Sequence, residues 1–168
     1  MTPKPSTPEP YVAGFACLVG RPNAGKSTLT NALVGDKVAI TSAKPQTTRH
    51  TIRGIVSGPV SQLILVDTPG LHKARTLLGE RLNDLVRATL LDVDVVGFCM
   101  PADQRIGPGD RFIAAELSEL MAAKKLPVVA IATKSDLVDK KRLAEHLIAI
   151  DQLADWAAIV PCSAPRGD

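Results

Sequence analysis

Aromatic residues are scarce in this 168-residue chain: three Phe, one Tyr and one Trp are all it holds. So few rings argue against a platform on which successive bases stack, so a nucleic-acid partner would find most of its contacts elsewhere. Long apolar runs are missing too. None approaches the ~20 residues that cross a bilayer, although 45% of the residues are hydrophobic, as in a globular protein. The first ten residues, MTPKPSTPEP, hold four prolines and no apolar segment. That excludes a signal peptide and predicts a flexible, partly extended tail over residues 1–10. The three cysteines, Cys17, Cys99 and Cys162, are odd in number and far apart, which supports neither a disulfide framework nor a zinc site. Cys17 and Cys99 fall in apolar runs, where a buried free thiol is expected, and a reducing cytoplasm fits them. A strong excess of one charge is also lacking, and the net +3 does not by itself announce nucleic-acid binding. The length suits one core, so residues 11–168 read as a single domain.

What is present centres on residues 20–27, GRPNAGKS, which match G-x-x-x-x-G-K-[ST]. The apolar run VAGFACLV precedes it as a buried strand. After it, TLTNAL predicts a helix with Leu29, Ala32 and Leu33 on one face. Strand, glycine-bracketed loop and helix are the context a phosphate-binding loop requires. Gly20 and Gly25 allow tight turns that point successive N–H groups inward, with Arg21, Pro22, Asn23 and Ala24 between them and Thr28 just beyond. Lys26 would reach the terminal phosphates of a nucleotide, and the Ser27 hydroxyl would ligate Mg²⁺.

Further along, residues 41–50 are polar and aperiodic and read as a loop. TIRGIV and SQLILVD, separated by Gly58-Pro59, predict a hairpin at the sheet edge. A helix is expected over residues 78–91, then the strand VDVVGFCM, a helix marked by Ile113, Leu117, Leu120 and Met121, and the strand PVVAIAT. A helix with Leu143, Leu147 and Ile150, and the short strand AAIVPC, complete the pattern. Alternating strands and helices imply an α/β fold: a mostly parallel sheet with one antiparallel edge strand, covered on both faces. Ligands in such folds bind at the carboxyl ends of the strands. Residues 20–27, 67–70, 133–136 and 162–164 all leave strand ends of that kind.

Asp67, after SQLILV, suits a carboxylate that holds Mg²⁺ through water; the alternative is an Asp capping the Thr-Pro-Gly turn. Gly70 would let a backbone N–H approach a γ-phosphate. Thr133-Lys134-Ser135-Asp136 bears on base choice. An Asp136 carboxylate can accept from guanine N1 and N2 together, a pair adenine does not offer, and Lys134 would lay its stem along the base. The alternative is a helix cap at Ser135 or Asp136. His50, His72 and His146 read as surface or loop histidines, and Arg49 and Arg53 as solvated charges, with contact to RNA the alternative.

GRPNAGKS, PQTTRH, DTPGLH, TKSD and PCSA stand in the order and spacing of the five motifs of a small GTPase. PQTTRH together with DTPGLH resembles the Era family of bacterial ribosome-assembly GTPases, in an actinobacterial form, across nearly the whole chain after the tail. The resemblance implies the P-loop three-layer fold, GTP as substrate, GDP as product and Mg²⁺ as cofactor. It makes Thr48 the switch residue that ligates Mg²⁺ with GTP bound, with adjacent Thr47 the other candidate. It makes Asn23 a ligand for K⁺, and Ser163 and Ala164 the loop closing over guanine, Ala164 through its N–H. It further implies a cytoplasmic monomer that binds 16S rRNA and the 30S subunit through a KH domain, with peripheral contact to the inner face of the cell membrane left open.

Three departures stand against this pattern. Thr133 occupies the position of the usual Asn, which puts the bracing of the base loop in question. Leu71 follows Asp-Thr-Pro-Gly where Ras-type enzymes place a water-orienting Gln; the resembled family also lacks it, so slow turnover is expected. The chain stops at Asp168, before the final helix and KH domain of the family, and reads as a truncated GTPase domain. Two other readings remain: a nucleotide-sensing module with negligible turnover, and a related GTPase of tRNA modification or large-subunit assembly.

Overall fold

Apolar runs bounded by glycine and proline become strands in the expected order. The computed structural model describes residues 10–35, 52–66, 89–90 and 92–167. Its strands are β1 (Val12–Val19), β2 (Ile52–Ser57), β3 (Ser61–Val66), β4 (Val95–Pro101), β5 (Val128–Thr133) and β6 (Ala158–Pro161). They form one sheet in the order β2-β3-β1-β4-β5-β6. Only the β2–β3 pair is antiparallel, which is the hairpin edge that the Gly58-Pro59 turn predicts. The helices that lie wholly within the described residues are α1 (Lys26–Val34), α2 (Pro108–Lys124) and α3 (Lys140–Asp151), with a 3₁₀ turn over Ser135–Leu137.

The period of two along each strand divides the core into two layers. Val96, Phe98 and Met100 of β4 and Val128, Ala130 and Ala132 of β5 pack with Ile113, Ala114 and Leu117 of α2 and Ile150 of α3. The intervening Cys99 and Ile131 face the other way, against Ala24 and Leu29 at the phosphate-loop end of α1. Phe98 and Leu117 are fully buried; each such side chain contributes about 1.5–3 kcal/mol relative to exposure. The Trp156 ring lies 5.7 Å from Phe98 and donates its Nε1–H to the Ile150 carbonyl at 2.8 Å. Two of the five aromatics thus meet in one core contact, not on a surface. All three cysteines are buried free thiols, as expected for the first two.

Gly54 shows why β2 tolerates a glycine. A Cβ there would stand 2.2 Å from Val34 Cγ2, so the missing side chain is where α1 meets the edge hairpin. That contact also corrects the predicted face of α1. Leu29 is buried but Leu33 is 42% exposed, and Val34 meets the sheet at Gly54. His146 departs from expectation as well: it is buried on α3, between Leu143 and Ile150 on the inward stripe. Leu90, near the end of the helix expected over residues 78–91, is fully buried. The rest of that helix and the loop over residues 41–50 lie outside the described residues.

Candidate nucleotide-binding site

β1 ends at Val19, and the backbone then needs a conformation that only glycine takes easily. Gly20 has φ +146°, and an added Cβ would lie 2.5 Å from the Cys99 carbonyl oxygen. Gly25 caps α1 at φ 86°, with no side-chain cap and no acidic residue in the first turn. The amides of the first turn of α1 therefore keep their partial positive charge for an anion. Asn23 takes the left-handed conformation, φ 62°, which an Asn side chain tolerates. Lys26 donates Nζ–H to the Gly20 and Arg21 carbonyls, both at 2.8 Å, which centres its ammonium over the loop. Burial pushes that ammonium below the ordinary lysine range, with neighbouring Cys99 acting in the opposite direction.

Arg21 is held from outside the loop. Its Nε donates to Asp110 Oδ1 at 2.7 Å, and Nη2 to Gln104 Oε1 at 3.3 Å. Asp110 is fully buried in the first turn of α2 and also accepts the Gly107 N–H at 2.8 Å. The pairing spans 89 positions, so no local pattern signals it. Only the Asp110 half is suggested by sequence, as an acid in a helix first turn after Gly107-Pro108.

The loop expected to read the base follows β5, beside the phosphate loop. Thr133 is buried and its hydroxyl donates to the Ala24 carbonyl at 2.7 Å. Thr133 thus braces the phosphate loop directly, which answers the question raised by the missing Asn. Lys134 is left-handed at φ 58° and its Nζ pairs with Asp103 Oδ2 at 3.4 Å. The Ser163 hydroxyl donates to Asp136 Oδ1 at 2.8 Å, which orients the carboxylate and leaves both oxygens with a free lone pair. The Ser135 N–H bonds the Cys162 carbonyl at 3.1 Å, joining the two loops that leave β5 and β6.

Between these loops lies a cavity of about 260 Å³. Gly25, Thr28, Thr133, Lys134, Asp136 and Ala164 line it, as does Cys162. The structure therefore brings the phosphate loop, residues 133–136 and residues 162–164 to one place. Leu137 and Pro165 also line the cavity, and sequence reading missed them because neither type carries a recognisable role. Thr47, Thr48, Asp67, Gly70 and Leu71 lie outside the described residues. Ser27 and Thr28 are exposed at the start of α1. Among the described residues no cluster of three or more His, Cys, Asp or Glu converges. A hydroxyl at a loop shaped for phosphates fits Mg²⁺, which takes few protein ligands and substrate oxygens.

Sheet order and a glycine-framed loop entering α1, with a carboxylate beyond the end of β5 lining the same cavity, define the class: a P-loop protein. The chain belongs to the 50S ribosome-binding GTPase family, whose model matches residues 15–134. It is 71% identical over 157 residues to GTPase Era of Streptomyces coelicolor, covering 90% of the chain and 49% of that relative. It is also similar to the crystal structure of Era in complex with MgGDPNP and nucleotides 1506–1542 of 16S ribosomal RNA. That likeness has TM-score 0.75 and 31% identity, covering 94% of the chain and 53% of the other. Aquifex aeolicus Era, in a variant bound to GDP·AlF4⁻, gives TM-score 0.73 at 31% identity, covering 92% and 52%. The resemblance read from the five motifs is borne out. The chain spans about half the length of the curated relatives it matches.

Proposed function

We propose that this chain is the GTP-binding and GTP-hydrolysing part of a switch protein acting in assembly of the small ribosomal subunit in the cytoplasm. The observation that carries this is Asp136, held by Ser163 and lining one cavity together with Gly25 of the phosphate loop. Lys26 and the amides of residues 20–27 would hold the phosphates, and Ser27, Thr48 and Asp67 would hold Mg²⁺. Bound there, Mg²⁺ would neutralise phosphate charge. Asp136 would select guanine, Lys134 would cover the base and the Ala164 N–H would close over it. Thr48 and Gly70 would sense the γ-phosphate, and Asn23, exposed at the loop tip, would contribute to a K⁺ site.

The family description speaks of the large subunit, whereas the solved Era complex contains 16S rRNA. Identity of 71% to an Era protein supports the small-subunit reading, with rRNA held by a KH domain beyond these residues. GTP turnover in K⁺ and then Na⁺ tests the proposal. Mg²⁺-dependent turnover, faster in K⁺ and with that gain lost in Asn23→Ala, is expected. Tight GTP binding with hydrolysis at the solution rate would instead leave a nucleotide-sensing module. Co-sedimentation with anionic vesicles tests contact with the membrane face; among the described residues no helix is long and apolar enough to cross one.

A further inference from the structure

Outside the five motifs, one carboxylate reaches into the phosphate loop. Asp110 is fully buried in the first turn of α2. Capping that turn takes only its Oδ2, which accepts the Gly107 N–H at 2.8 Å. Its Oδ1 accepts the Arg21 Nε–H at 2.7 Å. An acid at the surface caps a helix equally well, whereas a buried carboxylate is costly unless a cation and hydrogen bonds compensate it. The burial of Asp110 is therefore explained by Arg21 and not by the helix end.

The start of α2 also seats the rest of Arg21. A Cβ on Gly109 would stand 2.8 Å from Arg21 Cδ and 3.3 Å from Cγ, so the stem lies directly on the first turn. Gln104 Oε1, on the connector from β4, accepts from Nη2 at 3.3 Å. Charge, stem and fork are each held by a different residue, which leaves the side chain one position.

That position matters because of the Arg21 backbone. Its carbonyl accepts the Ala24 N–H at 3.2 Å, closing the turn of the loop, and a Lys26 Nζ–H at 2.8 Å. The Gly20 carbonyl takes a second Lys26 N–H, also at 2.8 Å. An ammonium has three donors, so one remains, and the two carbonyls fix where it points. A shift of Arg21 would move the turn and redirect that donor together. By contrast, Lys134 and Asp103 pair at 3.4 Å with both side chains 29% exposed, so solvent screens them and little depends on the pair.

We infer that Asp110 is a positioning residue for phosphate binding: through Arg21 it holds residues 20–27 in the shape that receives a diphosphate. It acts at a distance, since it lines no part of the nucleotide cavity. A loop held beforehand spares the cost of ordering it on binding. The inference rests on the reading of residues 20–27 as a phosphate site.

The test is competition of GDP and of GMP against mant-GDP in Mg²⁺ buffer, well below the melting temperature, with thermal melts of the same preparations. Lys26 would reach the phosphates beyond the first, so the ratio of GDP to GMP affinity reads the loop apart from the base and the fold. Asp110→Asn is expected to lower that ratio about tenfold, the equivalent of one hydrogen bond to a charged group. Gly109→Ala, which favours the helix but displaces the Arg21 stem, is expected to lower it about threefold and serves if Asp110→Asn fails to fold. The double variant Arg21→Met, Asp110→Leu replaces the buried pair by apolar side chains. It should melt close to the unsubstituted protein while the ratio stays low. An unchanged ratio in Asp110→Asn or, where that variant does not fold, in Gly109→Ala overturns the inference. So does a ratio that recovers with the melting temperature in the double variant, because the pair would then serve the fold alone. An unsubstituted protein that binds GDP no more tightly than GMP would overturn the phosphate-site reading instead.

Discussion

The two ends of the nucleotide cavity are built in opposite ways. At the proposed phosphate end the backbone would do the recognition: Gly20 and Gly25 hold conformations other residues resist, and the charge would come from amides and one lysine. At the proposed base end side chains would do it: Asp136 is held by the Ser163 hydroxyl, and Thr133 is bonded to the Ala24 carbonyl. A site made of backbone fails when a side chain is added. A site made of side chains fails when one is exchanged, and fails selectively.

Substitutions at each end can break or sharpen that contrast. The largest effect is expected at Gly20. Gly20→Ala brings a Cβ to 2.5 Å from a carbonyl oxygen at positive φ. We expect GDP binding to disappear and stability to fall by about 2–4 kcal/mol, read by titration and thermal melting. Asp136→Asn should leave the melt nearly unchanged while GDP affinity falls about 10³-fold or more. Xanthosine diphosphate should recover part of it, because its C2 carbonyl can accept from the new amide. Unchanged GDP affinity in Asp136→Asn would remove the side-chain half of the contrast.

Thr133 joins the two ends, and its effect should be intermediate. Thr133→Val leaves the Ala24 carbonyl without its 2.7 Å partner in a buried position. We expect a loss of about 1–3 kcal/mol in stability with weaker GDP binding, while Thr133→Ser, which keeps the hydroxyl, stays close to the unsubstituted protein. The smallest effect concerns pH. Burial holds His146 below 6.5 in the folded state, so the unfolded chain binds the proton more readily. Its contribution is therefore present above pH 6.5 and lost as pH falls through the folded-state value. Melting temperature should drop from pH 7 to pH 5, with a shallower slope in His146→Asn.

The same contrast explains what could be read from sequence. Gly20, Gly25, Lys26 and Ser27 were legible because backbone geometry and phosphate chemistry together leave few residue choices. Asp136 was singled out for its fit to the hydrogen-bonding pattern of guanine, and it lines the cavity. The Ser163–Asp136 and Thr133–Ala24 bonds were not, since they join positions 27 and 109 apart and arise only from parallel packing of strand ends. The Arg21–Asp110 pair, 89 apart, was missed for the same reason. His146 was misread because a polar residue on an amphipathic helix is ordinarily outward; here it completes the inward stripe between Leu143 and Ile150. The strand order was predictable in class, but the use of Gly54 as a seat for Val34 was not.

Calorimetric titration of the protein with GDP and with ADP, in the same Mg²⁺ buffer, tests the central claim that one cavity joins a phosphate loop to a guanine-reading carboxylate. GDP should bind about 10³-fold or more tightly than ADP, with the difference collapsing in Asp136→Asn. Equal affinities for the two nucleotides in the unsubstituted protein would contradict it.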